Sequence, residues 1–457
     1  MELIIANTVD AYRDSVALIQ DPDLKEHEIL DSYYLQDRSL LWCGSHKVVV
    51  TSRPIDPAHI SYLRTTLGYQ CLEAYAPREC TDSLCEDILR DTQLRAQLAG
   101  RLRNCGQVPL ITFQASPQVC AVADALRRDG VDIVTPECPP PDLMWVRDYL
   151  DSKSGFRRFF TSIADKVHGV RLPEGAVAVT CHEAARMAAR FLSQGKGALC
   201  KPNNSQGGVG FLILQPGDIA GPPPAIAAEI QRRLEADSQM RADVIVVEEL
   251  VPIDRSIGGG SPSLEMWVPS DPTRDVEFMY LCGQILTPTG YFYGVEMYRD
   301  VLDAELQKTL EQAGITVARE MRRLGYVGIF DMDLVAGQDG ELYAVEVNTR
   351  RTGGTHAHEA ALALYGPRYW ERAAVICNNE LRFAGPRLSF EDTRAALEPV
   401  LYPIAGGPEG IVLTIVTSLA TNRLGYLSLA STIERAREIE ARMQELLVAR
   451  GCELLAV

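Results

Sequence analysis

With 457 residues, 46% of them apolar and 23% charged, the chain has enough hydrophobic material for two to three ordinary domains, which excludes disorder as its general state. Forty-five basic against 61 acidic residues leave a formal charge of −16, a field that repels phosphate backbones and anionic lipid. Nucleic acid and membrane surfaces are therefore not expected as partners, and any phosphate must be held by a local site working against that field. No apolar run reaches the roughly 18 to 20 residues that span a bilayer. The start, residues 1–5, lacks the basic segment of a secretory leader. Twelve scattered cysteines without a Cys-x-x-Cys pair point to reduced thiols and a cytoplasmic setting.

Along the first 150 residues, strand-like and helix-like stretches alternate. A β-branched strand at 48–51, a helix at 87–105 stopped by Gly106, a strand at 108–113, a helix at 119–128 stopped by Gly130 and a strand at 131–134 predict an open parallel sheet with crossover helices. The proline-rich stretch 136–141 reads as a linker or boundary. A helix at 181–192 leads to a strand at 198–201, a Gly-rich loop at 202–210 and a returning strand at 211–214. Gly221 to Pro224 break the chain before a helix to about 240, and 244–251 is an apolar strand. A long amphipathic helix fits 304–324, closed by Gly325. Strands at 327–335 and 341–348 follow, then an apolar strand at 411–416. The last helix is expected to start at Ser431, with Glu434 completing a capping box, and to end near Gly451.

The hairpin of the 327–335 and 341–348 strands carries the chemistry. If Asp339-Gly340 is a two-residue turn, Gln338 pairs with Glu341, Asp333 lies opposite Glu346, and Asp331 lies opposite Asn348. Alternation then places these four on one face and Phe330, Met332, Leu334, Val345 and Val347 on the other. Facing carboxylates repel unless a cation lies between them, and carboxylate plus amide oxygens suit Mg²⁺, with Mn²⁺ as a substitute. The alternative is a solvated polar face. Arg350 and Arg351 follow at once, suited to phosphate or carboxylate oxygens, and Gly353-Gly354 permits close approach of backbone N–H groups to an anion. Lys201 precedes the loop 203–210, which is able to fold over a triphosphate or to be a plain turn. Glu248 and Glu249 stand in a strand with an edge for an adenine amino group, or in plain core.

A lysine before a flexible Gly loop, a Val-Glu-Glu-Leu strand 47 positions later, and Asp333, Glu346 and Asn348 followed by arginine resemble, in this order, the ATP-grasp superfamily over roughly 165–364. The run from Glu346 to His356, the preceding sheet domain and the small terminal module resemble the pheganomycin-type peptide ligases within it. The resemblance implies an α/β (α+β ATP-grasp) fold. Its parts are an N-terminal open parallel sheet domain at 1–155, a two-lobed ATP-grasp module at 156–375 (lid about 161–247, core about 248–375) and a C-terminal α+β module at 376–457. It further implies Lys166 and Lys201 as nucleotide lysines and Ser205, Gln206, Gly207 and Gly208 as the phosphate loop. Glu248, Glu249, Leu250 and Val251 would be the adenine hinge, Asp254 a ribose acid ahead of an insertion at 258–263, and Asp333, Glu346 and Asn348 the Mg²⁺ ligands. Arg350 would be the phosphate-side arginine, with Arg299 or Arg351 filling a place where some relatives carry arginine and this chain has Asp331. The implied activity is ATP-dependent amide formation through an acyl phosphate, on a small-molecule carboxylate and an amine. A non-peptide acceptor, or nucleotide binding without turnover, is the alternative. His356 and His358 are open between amine deprotonation and packing, and a homodimer is left open.

Overall fold

Short β-branched runs flanked by amphipathic stretches fold the first part of the chain into the expected open parallel sheet, which has five strands, Glu2–Ile5 and Cys71–Tyr75 in addition to those expected. The computed structural model describes residues 1–17, 19, 21–204 and 210–456. The strands run in the order Cys71–Tyr75, His46–Val50, Glu2–Ile5, Val108–Thr112, Ile133–Val134. The single helix expected at 87–105 is two, Leu84–Arg90 and Thr92–Leu102. Asp91 breaks it, because its carboxylate accepts from the Gln93 and Leu94 N–H groups and caps the second helix. The proline-rich stretch after this sheet is anchored rather than free, since Glu137 is buried against Arg351.

A four-stranded antiparallel sheet forms in the region expected as the lid, in the order Gly175–Ala178, Ile245–Leu250, Gly197–Pro202, Leu212–Leu214. The helices Cys181–Ser193 and Pro223–Ala236 supply Ala184, Ala188, Ile230 and Leu234 to its core. The helix expected to run to 240 stops at Asp237, which caps the short helix Ser238–Ala242.

The remainder builds one large sheet. Its central strands are Phe292–Met297, Glu277–Leu286, Pro262–Val268, Gly328–Ala336 and Leu342–Asn348, hydrogen-bonded in that order. The helix Ala304–Leu324 starts at the Asp303 cap, ends at Gly325 with φ 99°, and lays Leu310, Val317 and Met321 against this sheet. Each fully buried aliphatic side chain there contributes about 1.5–3 kcal/mol. The C-terminal strands continue the same sheet through Ala374–Ala384, which pairs with Phe292–Met297. The boundary expected at 376 therefore falls inside a strand, and that at 155 inside the helix Lys153–Ile163. The last helix, Ile433–Ala449, is capped by Thr432 rather than Ser431; the Thr432 hydroxyl accepts from Arg435 N–H, so Glu434 completes no capping box. No described helix is long and apolar enough to cross a membrane.

Candidate active site

The hairpin places Asp333 opposite Glu346 and Asp331 opposite Asn348, as expected, but by a different route. Gly337 N–H donates to the Glu341 carbonyl at 2.9 Å, and Gly340, at φ 82°, donates to the Gly337 carbonyl at 2.9 Å. The loop thus holds three residues, Gln338, Asp339 and Gly340, where a two-residue turn was expected. A bulge compensates: the register shifts between Asp333 and Leu334, leaving Val345 without a cross-strand partner. Val345 accordingly leaves the apolar face assigned to it and lines the cavity, while Ala344 and Leu342 join the core.

Beside this hairpin, the strand Pro262–Val268 sets Ser263 opposite Asp333 and Glu265 opposite Asp331. Four carboxylates, Glu265, Asp331, Asp333 and Glu346, therefore crowd one face across three strands. Burial, then the charge of Glu346, pushes Asp333 up to about 7. Burial, Asp333 and Glu265 push Asp331 well up, and its Oδ1 has no partner among the described residues. Glu265 is raised to about 7 by burial, although the hydroxyls of Tyr280, Thr352 and Thr355 all donate to its Oε2. Gln284 Nε2 donates to Asp333 Oδ1 at 2.6 Å, and Asn348 Nδ2 to Asp333 Oδ2 at 3.1 Å. Arg350 donates to Asn348 Oδ1 at 2.6 Å and to Asp151 at 2.6 Å, and Asp151 also accepts from the Thr349 N–H at 2.9 Å. Oxygen donors and excess negative charge fit a hard divalent cation at Asp333, Glu346 and Asn348; the orphaned oxygen belongs to Asp331, outside that set.

The lid supplies the opposing charge. Lys201, buried, lies 2.6 Å from Glu248 Oε2 and donates to the Val345 carbonyl at 3.4 Å. Arg157 holds the other Glu248 oxygen at 2.9 Å, and Lys153 reaches Glu346 Oε1 at 3.4 Å. Leu199, Lys201 and Phe211 on the lid and Asp333, Val345, Glu346 and Asn348 on the hairpin enclose part of a cavity of about 380 Å³. That is the size and chemistry of a small-molecule site.

No family model matches the chain. It is 26% identical over 450 residues to the L-propargylglycine–L-glutamate ligase of Streptantibioticus cattleyicolor, covering 87% of this chain and 85% of that protein. Its fold is similar to that of the N5-carboxyaminoimidazole ribonucleotide synthetase of Thermus thermophilus, at 15% identity, 98% coverage of each chain and a TM-score of 0.51. It is also similar to the biotin carboxylase domain of the 2-oxoglutarate carboxylase of Hydrogenobacter thermophilus, solved with MgADP, ADP and bicarbonate. There the identity is 14%, the coverage 99% of this chain and 90% of that one, and the TM-score 0.51. The chain has the ATP-grasp fold.

Within this ATP-grasp framework the residues singled out from the sequence separate. Lys201, Asp333, Glu346, Asn348 and Arg350 line one cavity. Lys166 does not join them: it is exposed and pairs with Glu320 at 3.1 Å on the long helix. Arg299 is exposed and absent from the cavity wall. Arg351 touches the wall, but its two terminal nitrogens both bind Glu137, its backbone N–H donates to the Phe113 carbonyl, and its guanidinium lies over Trp42. Asp254 accepts from Ser256 N–H and hydroxyl in a local turn, away from the cavity. Among the described residues, Glu248, Glu249, Leu250 and Val251 contribute no side chain to the wall; Glu249 is held by Lys196 at 2.7 Å, and Leu250 lies opposite Gly197. Ser205, Gln206, Gly207 and Gly208 lie outside the described residues.

Gly353 and Gly354 line the cavity and have no room for a side chain. A Cβ on Gly353 would stand 2.3 Å from Phe292 Cε1, and one on Gly354 2.6 Å from Tyr280 Oη. His356 and His358 are buried off the cavity wall, and burial pushes both down, His358 to about 3. They are packing residues; His358 stacks on Tyr280. Sequence reasoning missed Lys153, Arg157 and Gln284, which no motif marks. The insertion expected at 258–263 is the lead-in to the strand Pro262–Val268, whose Ser263 and Glu265 flank the carboxylates. Because Lys166 pairs with Glu320 and with no other acid among the described residues, Lys166→Ala is expected to leave the ATP KM of any turnover within about twofold, as surface ion pairs contribute little; steady-state kinetics check this.

Proposed function

We propose that this ATP-grasp chain is an ATP-dependent carboxylate–amine ligase that activates a substrate carboxylate as an acyl phosphate and joins it to an amine. The observation that carries the reading is one cavity walled by Asp333, Glu346 and Asn348 on the hairpin and by Lys201 on the lid. Mg²⁺ held by those three oxygen donors would neutralise the phosphates of ATP. Lys201 adds positive charge from the lid side. Arg350, fixed between Asp151 and Asn348, presents a guanidinium where phosphoryl transfer develops negative charge. A carboxylate oxygen takes the γ-phosphoryl group and ADP leaves; the amine nitrogen then attacks the acyl carbon, the C–O bond to phosphate breaks, and the amine proton passes to solvent. No side-chain nucleophile is needed. Cys282, the one thiol among the described cavity residues, is buried and its thiol is pushed well up, which makes it inert.

The related ligase, by its name, joins L-propargylglycine to L-glutamate, which supports amino acids as the substrate class. In this reading the region 156–375 holds the nucleotide, while the lobes 1–155 and 376–457 wall the substrate end. The test is ADP release from ATP with the twenty L-amino acids, singly and in pairs, with mass spectrometry of the products. The expected result is ADP only with a productive pair, and a product mass equal to both partners less one water. ADP release without an amide product, or none with any pair, would overturn the proposal.

A further inference from the structure

The cavity continues beyond the hairpin carboxylates to Arg38, on the 3₁₀ segment Leu35–Leu41 of the N-terminal lobe. Arg38 is only 4% exposed, yet it lines the wall. Its Nε donates to the Leu35 carbonyl at 3.2 Å, and its side chain also hydrogen-bonds with Tyr12. Among the described residues no carboxylate lies within ion-pair reach of it. The other arginines of the wall are each paired: Arg350 with Asp151, Arg351 with Glu137, and Arg423 with Asp31 and Glu380. A buried guanidinium without a counter-ion among the described residues is costly, and burial accordingly lowers its hold on the proton. Its planar fork is built to take a carboxylate through two parallel bonds.

Arg38 also stands apart from the reacting end. Tyr12 neighbours both arginines, but Arg350 also interacts electrostatically with Glu346 and Asp331, whereas Arg38 has Cys377 and Tyr280 beside it. A carboxylate bound at Arg38 is therefore one that survives the reaction rather than the one activated beside the hairpin. Resting on the ligase reading, we infer that Arg38 binds the unreacted carboxylate of an amino-acid substrate and so sets the selectivity of the cavity for free amino acids.

The test takes the pair that releases ADP and measures the KM of the partner that reacts through its amine, as the free acid and as its α-carboxamide, which leaves the activated carboxylate of the other partner intact, together with the KM for ATP. Wild type, Arg38→Gln and Arg38→Lys are compared, with thermal melts of each. The expected result is that wild type discriminates against the carboxamide of this amine partner, and that Arg38→Gln raises the KM of its free acid by about 10- to 100-fold. The carboxamide and ATP should be unaffected, and Arg38→Lys should recover part of the loss. Equal use of acid and carboxamide of the amine partner by wild type would overturn the inference and leave the ligase reading standing. An Arg38→Gln variant that shifts acid and carboxamide alike would overturn it too. Should Arg38→Gln fail to fold, the wild-type comparison and Arg38→Lys still decide. If no pair releases ADP from wild type, the ligase reading fails and this inference falls with it.

Discussion

Replacing Glu346 by glutamine is expected to lower amino-acid-dependent ADP release by about 10²-fold or more while leaving the fold intact. The side chain keeps its size and an oxygen within reach of Lys153, so packing around it need not change. What it loses is one of the two facing charges that make the hairpin a cation site. Because burial and Glu346 together push Asp333 up to about 7, the wild-type site contains repulsion that the substitution relieves. The melting temperature without Mg²⁺ is therefore not expected to fall. A ligand that binds only the folded state stabilises it by about 2.7 kcal/mol at 100 times its Kd. MgADP should accordingly raise the melting temperature of wild type and have little effect on the variant. Wild-type turnover, or an equal MgADP shift in both, would remove the cation role assigned to Glu346.

The parts of this site that local pattern encodes were legible. Alternation along the two hairpin strands was enough to bring Asp333 and Glu346 face to face, although the turn holds one residue more than expected. The longer loop and the Val345 bulge offset each other, so the register at the carboxylates came out the same. A bulge has no signature in a single strand, because it depends on which residue the partner strand leaves unpaired. The lid was legible for a similar reason: its helices and strands each show their own periodicity. Electrostatic partners were not. Glu248 reads as a hinge carboxylate by position, but Arg157 and Lys201, 91 and 47 residues away in sequence, hold its oxygens. Lys166 and Lys153 are only 13 positions apart, and nothing in composition tells which is buried beside Glu346; helix packing decides it. Gly353-Gly354 shows the same limit, since the crowding by Phe292 and Tyr280 that also demands glycine there has no mark in the sequence.

Arg351 tests this distinction between a residue placed by motif and one placed by packing. It follows Arg350 directly, yet the two guanidiniums point into different networks: Arg350 to Asp151 and Asn348 beside the carboxylates, Arg351 to Glu137 under the N-terminal lobe. Both members of the Arg351–Glu137 pair are buried, so truncating the arginine leaves an uncompensated buried carboxylate. Arg351→Met is therefore expected to destabilise the protein by about 3–5 kcal/mol, read as a lowered midpoint in chemical denaturation. Removing both charges in Arg351→Met with Glu137→Met eliminates the orphan and should recover most of that loss, since an apolar pair of similar volume replaces an ion pair at little cost. The folded fraction of each variant should retain amino-acid-dependent ADP release, because the charge on the transferring phosphoryl group is met by Arg350. A double variant that regains stability yet releases no ADP would instead place Arg351 in contact with substrate and make Glu137 its positioning partner.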